Sequence, residues 1–357
     1  METQPVSLRA LPGPDDIFRQ QMPNGITLLS RVNTSSPAVV IRGYLQPGTL
    51  TDPADKTGLS FLTRSMLSAG TRSLAFSAFH EQLEGIGASL KFGVGPLATT
   101  FSGQCLKEDL PLLLSLLRDA LENPAFPPNH FRRIQAQQLA SISLRNLETA
   151  EMASDAFDRL FYREHPYARV DIGDLQSVAA ITLDDVMQHH ATYSGPMGMV
   201  LAVVGGISTD AAWQIGQDAL AAWANPNQQP MPGLPPLAPL TRSAKAHVEL
   251  TEKSQMDLVL GTTAPVTTGP EYEVCMLGNQ ILGQYGMMGR IGESVREKAG
   301  LAYYAYSALG SGLGPASWQV MAGVNPANLE QAIDLIKVEL ARFIAEPVTE
   351  KELDDVR

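Results

Sequence analysis

Gly58-Leu-Ser-Phe-Leu-Thr-Arg-Ser-Met-Leu-Ser-Ala-Gly-Thr71 is the stretch on which the reading of this chain turns. Glycines frame small and apolar residues that read as a helix, and the run holds no histidine, cysteine or acidic side chain. Before it, Ala38-Val-Val-Ile-Arg-Gly-Tyr-Leu45 reads as a buried strand, followed by a turn around Pro47-Gly48 and a helix entered near Lys56. The same succession returns later, as Met256-Asp-Leu-Val-Leu-Gly261, a turn at Gly269-Pro270 and a helical run over 272–282. Beyond the first copy, Gly95-Pro-Leu-Ala-Thr-Thr-Phe-Ser-Gly103 leads into an amphipathic helix over 106–121 and then Asn123-Pro124. Its counterpart is Gly314-Pro-Ala-Ser-Trp-Gln-Val-Met-Ala-Gly323, a helix over 329–343 and Glu346-Pro347. The copies are offset by about 220 residues, as between Gly95 and Gly314. A repeat of strand, helix, strand, strand and long helix is too long for a solenoid and predicts two homologous α+β domains.

Length agrees with two domains: 357 residues, at roughly 150 per domain, allow each half to bury its own core without metal or disulfide support. The net charge is −11, from 26 Lys and Arg against 37 Asp and Glu, which argues against nucleic acid as the main partner because phosphate binding wants a basic face. Peptides, small ligands and proteins stay open. The two cysteines, Cys105 and Cys275, lie far apart in apolar surroundings and read as buried free thiols. No stretch of about 18 uninterrupted apolar residues occurs, so no membrane span is expected. The opening Met-Glu-Thr-Gln-Pro has neither a basic region nor an apolar core of a signal peptide, so the expectation is a cytoplasmic protein, with a mature exported form equally compatible.

Asn225-Pro-Asn-Gln-Gln-Pro-Met-Pro-Gly-Leu-Pro-Pro-Leu-Ala-Pro239 is dense in proline and has no apolar period, the composition of an extended linker. The expected division is therefore an N-terminal domain over 15–224, a linker over 225–244 and a C-terminal domain over 245–357. After Thr349 the acids of a helix start appear and the chain stops at Arg357, so the second copy is expected to be truncated relative to the first.

These residues resemble the pitrilysin/insulinase superfamily of zinc peptidases over nearly the whole chain. Asn24-Gly-Ile-Thr-Leu-Leu29, His165-Pro-Tyr-Ala168 with Ile172-Gly173, Met199-Val-Leu-Ala-Val-Val-Gly-Gly206 and, most specific, Val295-Arg-Glu-Lys-Ala-Gly-Leu-Ala-Tyr303 carry the likeness. The resemblance implies an α+β, processing-peptidase-like fold, each domain a mostly antiparallel sheet packed with long helices. In that family the frame of 58–71 carries His-x-x-Glu-His, where two imidazoles on one helix face hold zinc and a carboxylate deprotonates the attacking water. Here the motif positions fall on Phe61, Arg64 and Ser65, and the position of the third ligand, a Glu in the family, falls on Ser141. Phe cannot ligate, Ser is a poor zinc ligand, and Arg64 sets a fixed positive charge where the cation and the base belong. All four positions lack the chemistry, so no metal and no metallopeptidase activity of its own are expected.

The family's C-terminal domain supplies an arginine and a tyrosine that contact the substrate backbone and scissile carbonyl, and Arg296 and Tyr303 match that pair. Arginine can donate two parallel hydrogen bonds and a tyrosine hydroxyl can act as an oxyanion donor. Other chemistry-bearing residues read as structural. His80 and Glu81 sit on what reads as a solvated helix face, and the neighbours His189 and His190 point about 100° apart on a helix and read as surface residues. His165 reads as part of a structural turn, and Gly283-Gln-Tyr-Gly-Met-Met-Gly289 is similar to a loop near the substrate chamber of processing peptidases. What the resemblance implies is a non-catalytic, substrate-binding subunit of a split peptidase, working on peptides with a homologous zinc-bearing chain. The alternative is a pseudopeptidase scaffold or peptide-binding protein with no proteolytic role, and a homodimer stays open.

Overall fold

Strict alternation along Thr99–Leu106 (β5) buries Thr99, Phe101, Gly103 and Cys105 on one face, the period-2 signature of a strand with one side on a core. β5 is one of the strands in a computed structural model that describes residues 13–356; the opening residues 1–5 and the terminal residue 357 read above lie outside that description. By internal packing the described chain forms two compact units. One takes in the chain up to Ile142 together with Val170–Pro232, the other Ser143–Arg169 together with the chain from Gly233 onward.

In the first unit, β1 (Phe18–Gln21), β2 (Thr27–Val32), β3 (Ala38–Leu45), β4 (Ser89–Val94), β5 and β6 (Val200–Gly205) form a six-stranded sheet in the order β1-β2-β6-β3-β5-β4. Every neighbouring pair is antiparallel except β2 and β6. The helices are α1 (Leu59–Met66), α2 (Phe76–Gly85), α3 (Leu110–Glu122), α4 (Pro128–Arg145), whose last turn belongs to the second unit, α6 (Leu175–Ala180), α7 (Leu183–Tyr193) and α8 (Thr209–Leu220); α5 (Thr149–Tyr162) packs in the second unit. The leucine stripe of α3, Leu110, Leu113, Leu114, Leu117 and Leu121, meets Val39, Ile41, Phe101 and Leu201 of the sheet in one cluster. A second cluster joins Leu59, Leu62 and Met66 of α1 to Phe131 and Ile142 of α4, Val178 of α6 and Val186 of α7.

The second unit carries β7 (Met256–Ala264), β8 (Ala302–Leu309) and β9 (Ala316–Val324) in an antiparallel sheet of order β7-β9-β8. Its helices, besides α5, are α9 (Tyr272–Gly283), α10 (Tyr285–Gly292), broken by non-helical backbone at 286–289, α11 (Leu329–Ala345) and α12 (Glu350–Val356). Val320, Ala322, Ile336, Val295 and Leu282 centre its core. The internal repeat is visible in the pairing. β3 runs against β5 from Ala38↔Leu106 to Leu45↔Thr99, and β7 runs against β9 from Met256↔Val324 to Ala264↔Ala316. In both units the third strand of the set, β4 or β8, takes the outer place, and a short 3-10 turn precedes the long helix α3 or α11. Two α+β domains of mostly antiparallel sheet with long helices are therefore what the chain forms.

Segment 143–169 departs from a division at the proline-rich stretch alone, because it groups with the second half of the chain. Gly261 on β7 makes room for α5: a Cβ there would stand 2.7 Å from the Phe157 ring. Asp257 of β7 accepts hydrogen bonds from Thr149 and from Tyr304. Cys105 is buried and Cys275 half-exposed, and both are free thiols. Among the described residues no helix is long and apolar enough to cross a membrane.

Candidate functional site

Helix α1 begins at Gly58, whose φ of 91° only glycine adopts without strain. Asp52 caps that start from outside the helix, accepting from Gly58 N at 2.9 Å, Ser60 N at 2.8 Å and Ser60 Oγ at 2.5 Å. The Ile172-Gly173 pair lies against the same point: a Cβ on Gly58 would stand 2.5 Å from the Ile172 oxygen, and one on Gly173 2.2 Å from the Thr57 oxygen. Gln138 of α4 closes the arrangement, donating from Nε2 to Gly58 O at 3.2 Å and Ile172 O at 2.8 Å. These bonds hold α1 and α4 at a set register, and with it the four degenerate positions come together. Phe61, Arg64 and Ser65 from α1 and Ser141 from α4 all line one cavity of about 520 Å³, completed by α2 and β4.

The chemistry of that cavity is basic and aromatic. The Arg64 guanidinium lies 4.4 Å from the centre of the Phe61 ring, and Nη1 donates to the Phe92 carbonyl at 2.9 Å. Its Nε is buried with no hydrogen-bond partner among the described residues, and burial lowers the pKa of the group. Ser65 Oγ turns back to donate to Phe61 O at 2.9 Å, and Ser141 is exposed. Zinc of the peptidase type does not fit this set: no imidazole or carboxylate stands at the four positions, and a cation occupies the middle of them. Among the described residues no group of three or more His, Cys, Asp or Glu is arranged to hold a metal ion. His80 also lines the cavity rather than facing solvent, its Nε2 3.1 Å from Ser68 O and its ring against Phe76, because α2 packs that side inward. Lys91 and Arg133 line it too, and nothing in their sequence context marked them.

Behind α1 lies a buried polar cluster. His189 Nε2 is 2.8 Å from Thr51 Oγ1, 3.3 Å from Ser60 Oγ and 3.9 Å from Asp52 Oδ1, and His189 is 4% exposed. His189 and His190 are thus not surface residues. His189 follows Val186 by one helical turn on the packed face of α7, and His190 Nε2 meets Leu121 O at 2.8 Å. Burial pushes His189 down to about 4, with His190 adding to the effect, and pushes Asp52 up to about 7 against the hydrogen bonds from Ser60 and Gly58. Serine, histidine and aspartate here do not make a hydrolytic triad. Serine and aspartate address the same ring nitrogen, Nδ1 is buried without a hydrogen-bond partner among the described residues, and all three side chains are deeply covered.

Arg296 and Tyr303 belong to the second unit. Arg296 sits in a π-helical turn, Glu293–Lys298, with Nε 3.4 Å from the Glu297 carboxylate. The chain leaves that turn through Gly300, φ 63°, and enters β8 on a bulge. Ala302 pairs with Val324 and Tyr304 with Gly323, so Tyr303 is unpaired in the ladder and its side chain stands out, 81% exposed. Among the described residues no hydrogen bond or ring contact joins Arg296 to Tyr303. His165, in the same unit, accepts from Tyr167 N at Nδ1 (3.1 Å), which leaves Nε2–H to donate to Pro235 O at 3.0 Å, a structural tie to the proline-rich stretch.

Comparison with known proteins accounts for the paired architecture. Residues 27–173 match the family model described as Insulinase (Peptidase family M16), and residues 180–357 that described as Peptidase M16 inactive domain. An uncharacterized zinc protease of Streptomyces coelicolor is 21% identical over 94% of this chain and 74% of its own, and one of Bacillus subtilis is 23% identical over 95% and 81%. A probable mitochondrial-processing peptidase subunit beta of Arabidopsis thaliana is 23% identical over 52% of this chain and 35% of its own. Among solved structures, a peptidase M16 inactive domain from Pseudomonas fluorescens superposes with a TM-score of 0.87 at 26% identity, over 95% of this chain and 82% of that one. A protease from Helicobacter pylori shares the fold at a TM-score of 0.88 and 17% identity, over 95% and 83%. With both halves matched by models of one family and the fold shared over 95% of its length, the chain belongs to the insulinase/pitrilysin-type M16 peptidase family.

Proposed function

We propose that this chain is the non-catalytic, substrate-binding subunit of a split M16 peptidase, acting with a homologous chain that carries His-x-x-Glu-His and supplies zinc and base. The observation that carries the reading is an asymmetry between the two units. The cavity at the degenerate positions has one imidazole, His80, and no carboxylate or thiolate in its lining, whereas Tyr303 stands 81% exposed on a β-bulge just after the π-helical turn of Arg296. Bulges and π-turns re-aim side chains away from regular ladders at a local cost in hydrogen bonding. An arginine fork and a phenol presented this way suit the backbone and carbonyl of an extended peptide held for cleavage elsewhere. The named relatives include zinc proteases and a processing-peptidase subunit, consistent with a peptide as substrate.

The test is reconstitution. The chain is mixed with a homologous His-x-x-Glu-His subunit from the same genome, and cleavage of a peptide library is followed with and without chelator. Zinc-dependent cleavage requiring both chains is expected. Tyr303→Phe should lower turnover by about 100-fold, the lower end of the range for loss of one oxyanion-type donor, with assembly unaffected. An unchanged rate in Tyr303→Phe removes the role assigned to the pair, and failure of the two chains to associate moves the reading to a pseudopeptidase scaffold.

A further inference from the structure

The cavity that replaces the family's metal site has a chemistry of its own. Arg64, Lys91 and Arg133 line it, no Asp or Glu does, and none of the three cations has an ion-pair partner among the described residues. In a protein of net charge −11, three uncompensated cations around one concavity go against the overall balance. Arg64 is the most telling, since leaving a buried guanidinium Nε unbonded costs free energy that an incoming anion would offset. Apolar side chains, Phe61, Phe76, Phe92 and Ile134 among them, share the remaining wall with the neutral polar ones of Ser65, Ser68, His80, Gln137 and Ser141. Its volume of about 520 Å³ falls in the usual range for small-ligand sites. Gln138 adds a second unmet group: its Nε2 serves two carbonyls, which settles the orientation of the amide, and its Oε1 is left buried without a donor among the described residues.

We infer that this cavity is a binding site for a carboxylate carried by a peptide. The carboxylate is held by Arg64 with Lys91 and Arg133, an apolar side chain lies against the phenylalanines, and a peptide N–H is available for Gln138 Oε1. A bare inorganic anion would leave the aromatic wall and the Gln138 acceptor unused. The site does not depend on a zinc-bearing partner, and it is tested on this chain alone, so its failure and that of the split-peptidase reading are distinguishable.

The experiment is calorimetric titration of the full chain at low salt with acetyl-Ala-Ala-Ala-Leu as the free acid, the same peptide as its C-terminal amide, and acetyl-Ala-Glu-Ala-Leu amide. Binding of the free acid, at least about tenfold tighter than the neutral amide and weakened by added salt, is expected. Binding of the glutamate amide as well would assign the site to any peptide carboxylate, and its absence to a chain terminus. Arg64→Gln should lose about tenfold in affinity. Because Arg64 is half-buried, the exposed pair Lys91→Gln with Arg133→Gln is a second variant that spares the fold and should also weaken the acid selectively. Equal affinity for acid and neutral amide, no binding of any of the three peptides, or variants that bind the acid as the parent does would overturn the proposal.

Discussion

At the scale of single residues, the charged groups behind α1 oppose one another. His189 has its pKa lowered from 6.5 to about 4, so the stability it contributes is complete above 6.5 and is lost as pH falls through 4. Asp52 is raised from 3.8 to about 7, so its contribution is complete below 3.8 and is lost as pH rises through 7. Between about pH 4 and 6.5 the two nearly cancel. Each side chain is almost wholly covered, and at 1.36 kcal/mol per pKa unit each effect is roughly 3 kcal/mol. Relative to the parent protein, Asp52→Asn should therefore gain stability as pH rises from 4 to 7, and His189→Gln should lose it. Urea midpoints measured across that range check the opposite slopes; parallel profiles for the two variants would refute this account of the cluster. At the same scale, Arg64 sets the character of the cavity: its guanidinium lies over the Phe61 ring, is bonded to Phe92 O and puts a cation among the four positions.

At the scale of elements, the junction of α1, α4 and the loop before α6 holds the cavity in shape. Gly58 and Gly173 are needed there for two reasons, a positive φ at each and a backbone oxygen within 2.5 Å of where a Cβ would be. Gly58→Ala should cost at least about 2 kcal/mol, since the left-handed backbone and the clash with Ile172 O add. Gly85 is the control. It ends α2 with nothing within 4 Å of a Cβ and without a positive φ, so Gly85→Ala should be neutral or stabilise by up to about 1 kcal/mol. Thermal denaturation of the two variants decides it, and equal shifts would show that the α1 junction tolerates displacement. The His165 turn works similarly, both ring nitrogens bound to backbone, so the sequence reading of it as structural agrees with its contacts.

At the scale of the whole molecule, the repeat is the organising fact and its boundaries follow packing rather than chain order. Helix α5 lies in the first half of the sequence yet covers β7, through Phe157 over Gly261 and the Thr149–Asp257 hydrogen bond. A fragment of residues 233–357 made alone should consequently lack a cooperative thermal transition, because one side of β7 loses its cover. Adding a peptide of residues 143–169 should restore it. Circular dichroism melts of the fragment with and without peptide are the check, and a sharp transition in the fragment alone would mean that the C-terminal sheet is self-sufficient.

The repeat, the strands 38–45 and 256–264, the long helices and the membership in a peptidase family were legible in the sequence, because they rest on local periodicity and on residue types at set spacings. The sequence also set Phe61, Arg64, Ser65 and Ser141 where the resembled family carries its ligands and base, residue types that bind zinc poorly or not at all. Only the tertiary structure decided what stands in that place. Lys91 on β4, His80 on α2 and Arg133 on α4 are remote in sequence, with no spacing that relates them, and they meet Arg64 only because the sheet and helices pack. The same holds for His189, whose partners Thr51, Ser60 and Asp52 lie far back along the chain: a helical pattern tells which face is apolar, but which polar groups are buried together depends on the elements that close over them.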